Sequence, residues 1–226
     1  MAPLKPVARS ALKRVTFKTP IENYIAGSID WSHSSLKPLK KLIRKLLRIE
    51  QGEVCPYCQR LIIPERRNVN EHIEHILDKS KPKYRKFAFN SNNIILSCHG
   101  CNVEKNTKDI FPSGRADPLY INRSLVPFLW PHPYFDDMSA CIRKHPGPVY
   151  TVITGSGREA ESRKLISDLK LNDVGNIESR YSKLVERQYR LAIILSKLIK
   201  VGGERSIARM RPLVLENERI AKELNL

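Results

Sequence analysis

Apolar positions recur most regularly in two stretches. From Ser35 onward Leu36, Leu39, Ile43, Leu46 and Leu47 fall at helical spacing, with Pro38 near the first turn, and predict an amphipathic helix. Further along, Ile177, Tyr181, Leu184, Val185, Gln188, Leu191, Ile194, Leu195 and Leu198 keep approximate helical spacing over 176–200, punctuated by Gly202 and Gly203. Helical patterning also covers 158–170 and 204–224, and Tyr150 to Thr154 predicts a short strand ended by Gly155 and Gly157. Two stretches lack a period. Residues 1–33, with Pro3, Pro6 and Pro20, look like an arm or irregular lead-in. Residues 111–148, rich in Pro, aromatic side chains and His, look like ordered loop wrapped over a core.

Three segments follow from this pattern: 1–50, a basic arm and amphipathic helix; 51–112, a compact motif-bearing core; and 113–226, the wrap and a helical region. The expected class is α+β, with a small mixed core inside a mostly α-helical chain. At 226 residues with 41% hydrophobic side chains, the chain can bury a core. It has no apolar run long enough to cross a bilayer, and no apolar stretch follows Lys5 and Arg9 as in a secretory signal. A cytoplasmic setting without membrane attachment is the expectation.

Charge changes the picture. The chain carries 40 Lys and Arg against 23 Asp and Glu, a net of +17, of which residues 1–50 hold +8. An anionic partner, nucleic acid above all, fits that excess. On the predicted helix, Lys37, Lys40, Lys41, Arg44 and Lys45 flank the apolar stripe and are candidates for gripping phosphates.

Cysteine sharpens it further. Cys55-Pro-Tyr-Cys58 and Cys98-His-Gly-Cys101 form two CxxC pairs, and Cys141 stands apart. Thiolates are strong Zn²⁺ ligands, and two CxxC turns complete a closed tetrahedral site that staples structure and leaves no position open for catalysis. His99 is a possible substitute ligand within the second turn.

Between and after the knuckles lie Glu74-His75, Asn93 and Cys101-Asn102-Val-Glu-Lys105. Phosphodiester hydrolysis needs an activated water, a cation at the phosphate and help for the leaving oxygen. Neutral His75 can take the proton from water. Glu74 and Asn102 offer hard oxygens suited to Mg²⁺ or Mn²⁺, and Asn93 can orient the base or the backbone. Lys105 and Lys79 are candidates to meet phosphate. Glu71-His72-Ile73 repeats the acid-His-Ile pattern three residues earlier, so His72 is an alternative base, although the following Lys79-Ser80 favours Glu74-His75.

The ordered set Cys-x-x-Cys, acid-His-Ile, Asn-Ile and Cys-x-x-Cys-Asn-x-x-Lys resembles the zinc-containing HNH (ββα-metal) endonucleases. That resemblance implies a β-hairpin and a helix gripping one divalent ion, with Glu74 and Asn102 as its ligands, His75 as base and Asn93 as orienter. It also implies a helix starting near Asn102. Glu74-His-Ile-Leu-Asp-Lys-Ser80, Phe87-Ala-Phe-Asn and Ile110-Phe-Pro112 are similar to the HNH component of Septu-type antiphage systems and related retron-associated nucleases. Pro131-His-Pro-Tyr-Phe-Asp-Asp137 and Leu169-Lys-Leu-Asn172 extend the likeness more weakly. It implies antiviral defence alongside a separate ATPase subunit. No GxxxxGK[ST] occurs in this chain, so ATP dependence would come from that partner. The family carries Pro where this chain has Asp78. Two other readings remain: a non-catalytic zinc-ribbon nucleic-acid-binding protein, which uses the same cysteines and basic surface, and an interaction module whose main business is the amphipathic C-terminal helices.

Overall fold

The computed structural model describes residues 2–62, 70–122, 127–145 and 149–224, without the side chains of 176, 177 and 180. It is a mixed helix and sheet protein, mostly helical, with two small antiparallel sheets. The chain forms two compact units, residues 1–143 with 152–169 and residues 144–151 with 170–226. Residues 1–33, read from sequence as an arm or irregular lead-in, belong to the first unit. Leu4 N–H donates to the Pro133 carbonyl (2.9 Å) and Lys5 N–H to Glu50 Oε1 (2.7 Å).

The first unit opens with α1 (Ala8–Leu12) and α2 (Lys18–Ala26), then a 3₁₀ turn at Ser34–Leu36 that runs into α3 (Lys37–Gln51). Leu36, Leu39, Ile43 and Leu47 are fully buried, so the predicted stripe is the face turned to the core. Gly52, at φ 58°, ends α3 in a left-handed cap, donating to the Ile49 carbonyl while Glu53 N–H donates to Arg48 O. Strand β1 (Glu71–His75) then pairs antiparallel with β2 (Ile94–Cys98), Glu71 facing Cys98 and His75 facing Ile94. β2 continues directly into α4 (His99–Lys105).

Every residue of β2 is buried, as its run Ile-Ile-Leu-Ser-Cys suggests. Its second edge is satisfied by side chains instead of a third strand. Gln51 donates from Nε2 to the Leu96 carbonyl (2.8 Å) and accepts from Leu96 N–H (2.8 Å), and Tyr134 donates its hydroxyl to the Ile94 carbonyl. An unpaired strand edge buried without such partners is costly, so these two residues stand in for the missing strand.

Of the predicted wrap 111–148, residues 123–126 and 146–148 lie outside the described residues; Asp137 caps the short α5 (Met138–Cys141), accepting from Ser139 N–H. Trp130 is fully buried, packs edge-on against Tyr57 and donates Nε1–H to Asp168 at the end of α6 (Glu159–Asp168). His132 is buried between Phe128 and Phe135, and Asp136 beside it accepts from His132 N–H and pairs with Arg158. The second sheet joins β3 (Ile142–Lys144) and β4 (Tyr150–Val152) where the chain passes between units.

In the second unit, α7 (Val174–Val201) and α8 (Glu204–Leu224) form an antiparallel hairpin. Leu184 and Leu191 on α7 and Ile220 and Leu224 on α8 are buried, and Arg187 grips Glu216 with two hydrogen bonds. Among the described residues no helix is long and apolar enough to cross a membrane.

Candidate active site and metal centre

The four knuckle cysteines converge. Cys55, Cys58, Cys98 and Cys101 are all buried, none is in a disulfide, and their sulfurs lie within 4.8 Å of one another. Tetrahedral zinc–thiolate geometry sets sulfurs about 3.8 Å apart, and Cys58 Sγ lies 3.7 Å from Cys98 Sγ. The donor set and its spacing therefore fit Zn²⁺. The first knuckle is shaped by Cys55 N–H donating to Arg60 O and Gln59 N–H to Cys55 O, with Gln59 at φ 54° to reverse the chain. The second is the β2–α4 junction itself. Burial pushes the Cys55 thiol up, whereas hydrogen bonds from Cys101 and Cys55 hold the Cys58 thiol down. His99 takes no part in the cluster; its Nδ1 lies 3.1 Å from His72 Nε2.

Beside this cluster an open polar cleft of about 470 Å³ lies between the end of β1 and α4. It is lined by Glu74 and His75 from β1, Asp78, Lys79 and Ser80 from the loop after it, and Asn102, Val103, Asn106 and Thr107 from α4 and the turn beyond. The predicted Glu74, His75 and Asn102 thus all line one cleft. Helix α4 starts at His99, three residues earlier than expected, because extended Cys98 ends β2 and the chain turns straight into helix. Asn102 consequently sits within α4 and not at its first turn.

His75 is 3% exposed, and its Nε2 lies 3.0 Å from the Ala88 carbonyl. A carbonyl only accepts, so Nε2 carries the proton and Nδ1 is left as the acceptor of a neutral ring. Burial, reinforced by Lys79 and Lys105, holds the imidazole well below its ordinary value, so it stays neutral at pH 7. Sequence reasoning missed the wall behind this ring. Trp31 meets it edge-on at 4.7 Å between centroids and is itself packed against Tyr24 and Phe89. Lys40 and Lys79 bring their ammonium groups to 5.4 and 5.3 Å from the indole centroid. Nothing periodic in residues 1–33 signals that contact.

Asn93 is fully buried and works on backbone, not on the imidazole. Its Oδ1 accepts from Leu77 N–H (2.7 Å), and Nδ2 donates to the carbonyls of Leu77 (3.1 Å) and Phe87 (3.0 Å). It therefore pins both ends of the loop that carries Asp78, Lys79 and the Ala88 carbonyl. Glu74 is 8% exposed, and Lys105 Nζ lies 2.6 Å from its Oε1. Burial raises the Glu74 carboxyl above its usual range, and the Lys105 ammonium opposes that shift. Lys105 also donates to the His75 carbonyl (3.0 Å) and is 1% exposed. The expectation that Lys105 meets a phosphate is not met by this placement: its ammonium is spent inside the core.

The other basic candidates divide. Lys37, Lys41 and Lys45 form an exposed row one turn apart on α3. Lys40 instead donates to the Trp31 carbonyl (2.8 Å), and Arg44 pairs with buried Glu71, which Arg48 grips as well. Lys79 lines the cleft, with burial lowering its ammonium. The engagement of Glu71 matters for the choice of base, since the acid of the alternative Glu71-His72 pair is already held by two arginines, and His72 does not line the cleft.

The chain matches no protein-family model and no curated protein.

Proposed function

We propose that this chain is a metal-dependent endonuclease of the HNH, ββα-metal type, hydrolysing nucleic-acid phosphodiester bonds in DNA in preference to RNA. The observation that carries the reading is the cleft: a neutral buried imidazole, a carboxylate and an amide line it together, next to a cysteine cluster suited to zinc. His75, with Nε2 tied to Ala88, is the general base that takes a proton from water onto Nδ1. Glu74 and Asn102 supply the hard oxygens that would hold Mg²⁺ or Mn²⁺, which contributes Lewis-acid stabilisation of charge on the phosphate when bound. Trp31 and Ala88 fix the ring, and Asn93 fixes the loop that presents Ala88. Lys79 and the row Lys37, Lys41 and Lys45 draw in the phosphate backbone. By its resemblance to Septu-type nucleases, the chain would serve cytoplasmic antiphage defence with a separate ATPase subunit.

The test is incubation of plasmid, linear DNA and tRNA with Mg²⁺ or Mn²⁺. Wild type cuts, and His75→Ala, still folded and still holding zinc, does not. One observation favours the non-catalytic zinc-ribbon reading, namely that Glu74 is already paired with Lys105. Nucleic-acid binding without cleavage, alone or with an ATPase partner, would establish that reading instead.

A further inference from the structure

The turn that follows α4 contains a backbone conformation with no structural reason to belong to asparagine. Lys108 N–H donates to the Lys105 carbonyl (2.8 Å), closing a four-residue turn over Lys105, Asn106, Thr107 and Lys108. Asn106, its first central residue, sits at φ 43°, ψ −124°. These angles approximate the first central position of a type II′ turn, which glycine dominates because a Cβ crowds the backbone there. Asparagine tolerates the left-handed helical region, but ψ −124° lies far from it. Its backbone N–H needs no special residue, since it continues the helix by donating to Asn102 O (2.9 Å). The side chain is exposed and caps nothing in the bonds observed for it. A strained residue that local structure does not require calls for another reason to be kept.

Its position supplies one. Asn106 and Asn102 are one helical turn apart, and both line the cleft along with Val103 and Thr107. Glu74 and His75 line the cleft from β1, and Asn106 stands with Asn102 on the α4 side, where the helix stops. An amide there offers two donors and an acceptor to anything entering the cleft.

We propose that Asn106 is a substrate-binding residue whose side-chain amide hydrogen-bonds the nucleic-acid strand beside the scissile phosphate. This rests on the nuclease reading of the cleft. The group bound is a phosphate or base-edge oxygen, reached from the α4 side of the cleft that Lys79 and Ser80 also line. The strain at Asn106 is then retained for that contact, and replacement by glycine gains stability while losing affinity.

Two substitutions separate amide from backbone. Asn106→Gly removes both the amide and the strain, whereas Asn106→Ala removes the amide and keeps the strain. Each is examined with fluorescent duplex DNA for cleavage kinetics, for equilibrium binding in a His75→Ala background, and by thermal unfolding. Expected is an approximately tenfold rise in KM and Kd for both variants, with kcat within about twofold of wild type, the scale of one lost hydrogen bond. Unfolding should move oppositely, with Asn106→Gly melting roughly 2–4 °C above Asn106→Ala. If wild type cuts DNA but both variants keep KM and Kd within twofold, Asn106 is no substrate contact and the proposal falls alone. If wild type neither binds nor cuts nucleic acid, the nuclease reading falls and takes this one with it.

Discussion

Lys105 Nζ lies 2.6 Å from Glu74 Oε1, joining the last residue of α4 to β1 through a buried ion pair at the back of the cleft. The pair locks helix to strand and keeps a carboxylate ionised where burial alone would favour its neutral form. Lys105→Met should leave that carboxylate buried without its cation, costing about 3–5 kcal/mol. The pH dependence follows from the direction of the Glu74 shift. A carboxyl whose folded value lies above its unfolded value makes the native state bind more protons, so its effect on stability improves as pH falls. Removing Lys105 strengthens that effect, and denaturant unfolding of Lys105→Met should recover part of its deficit between pH 7 and pH 5. A deficit constant across that range would show that Lys105 does not support the Glu74 charge.

Asn93→Ala should be severely destabilising although the residue touches no ring of the site. The substitution leaves the Leu77 N–H and the Leu77 and Phe87 carbonyls short of a partner inside the core. Unsatisfied buried groups cost about 1–3 kcal/mol each, so a loss of at least about 3 kcal/mol is expected in urea unfolding. Cleavage should drop with it, because the freed loop carries the Ala88 carbonyl that orients His75.

Acid should destabilise the protein through its buried histidines. Burial holds His132 at about 3, against an ordinary value of 6.5, with Arg158 adding to the shift. A histidine depressed in the folded state contributes stability that is complete above pH 6.5 and is lost as pH falls toward 3; His75 acts in the same sense. Unfolding at pH 5 should therefore take up about one fewer proton in His132→Asn than in wild type. Equal proton uptake in the two would mean that His132 is hydrated and titrates normally.

Zinc removal tests the knuckles. The purified chain should carry one zinc ion, and chelation or Cys101→Ser should abolish cooperative thermal unfolding of the first unit, since metal affinity is there coupled to folding. A chain that is metal-free as purified yet melts cooperatively at the same temperature would remove zinc from the account.

The choice between the two acid-histidine pairs is also open to test. His72→Ala should keep cleavage within a few-fold of wild type. Glu71→Gln should lower stability by breaking its contacts with Arg44 and Arg48 while leaving chemistry in place. Inactive His72→Ala beside active His75→Ala would reverse the assignment.

What was legible in the sequence was what short spacing encodes. Two CxxC turns bring four sulfurs together whatever surrounds them, and the stripe from Leu36 to Leu47 announces its buried face by period alone. Contacts between distant segments were not legible. Nothing near Trp31 tells that its indole faces His75, and nothing in Asn102-Val-Glu-Lys105 tells that the lysine turns inward. A lysine on a short helix is ordinarily solvated, and only the approach of Glu74 from β1 makes its burial tolerable. The helix start was misplaced for a similar reason: where β2 stops depends on its pairing with β1, which no local signal in Cys98-His-Gly-Cys101 reports.

The indole behind His75 has a consequence for modularity. Residues 51–112 contain both knuckles, Glu74, His75 and both asparagines, and look like a portable cassette. Yet the surface that shields the imidazole belongs to Tyr24 and Trp31, and the clamp on Glu71 belongs to Arg44 and Arg48. A graft of that cassette onto another scaffold would inherit every group that lines the cleft and lose the dry seat in which His75 is held. Inheritance of this site must therefore include α2, α3 and the segment between them, and divergence there is constrained by a cleft whose lining they do not supply.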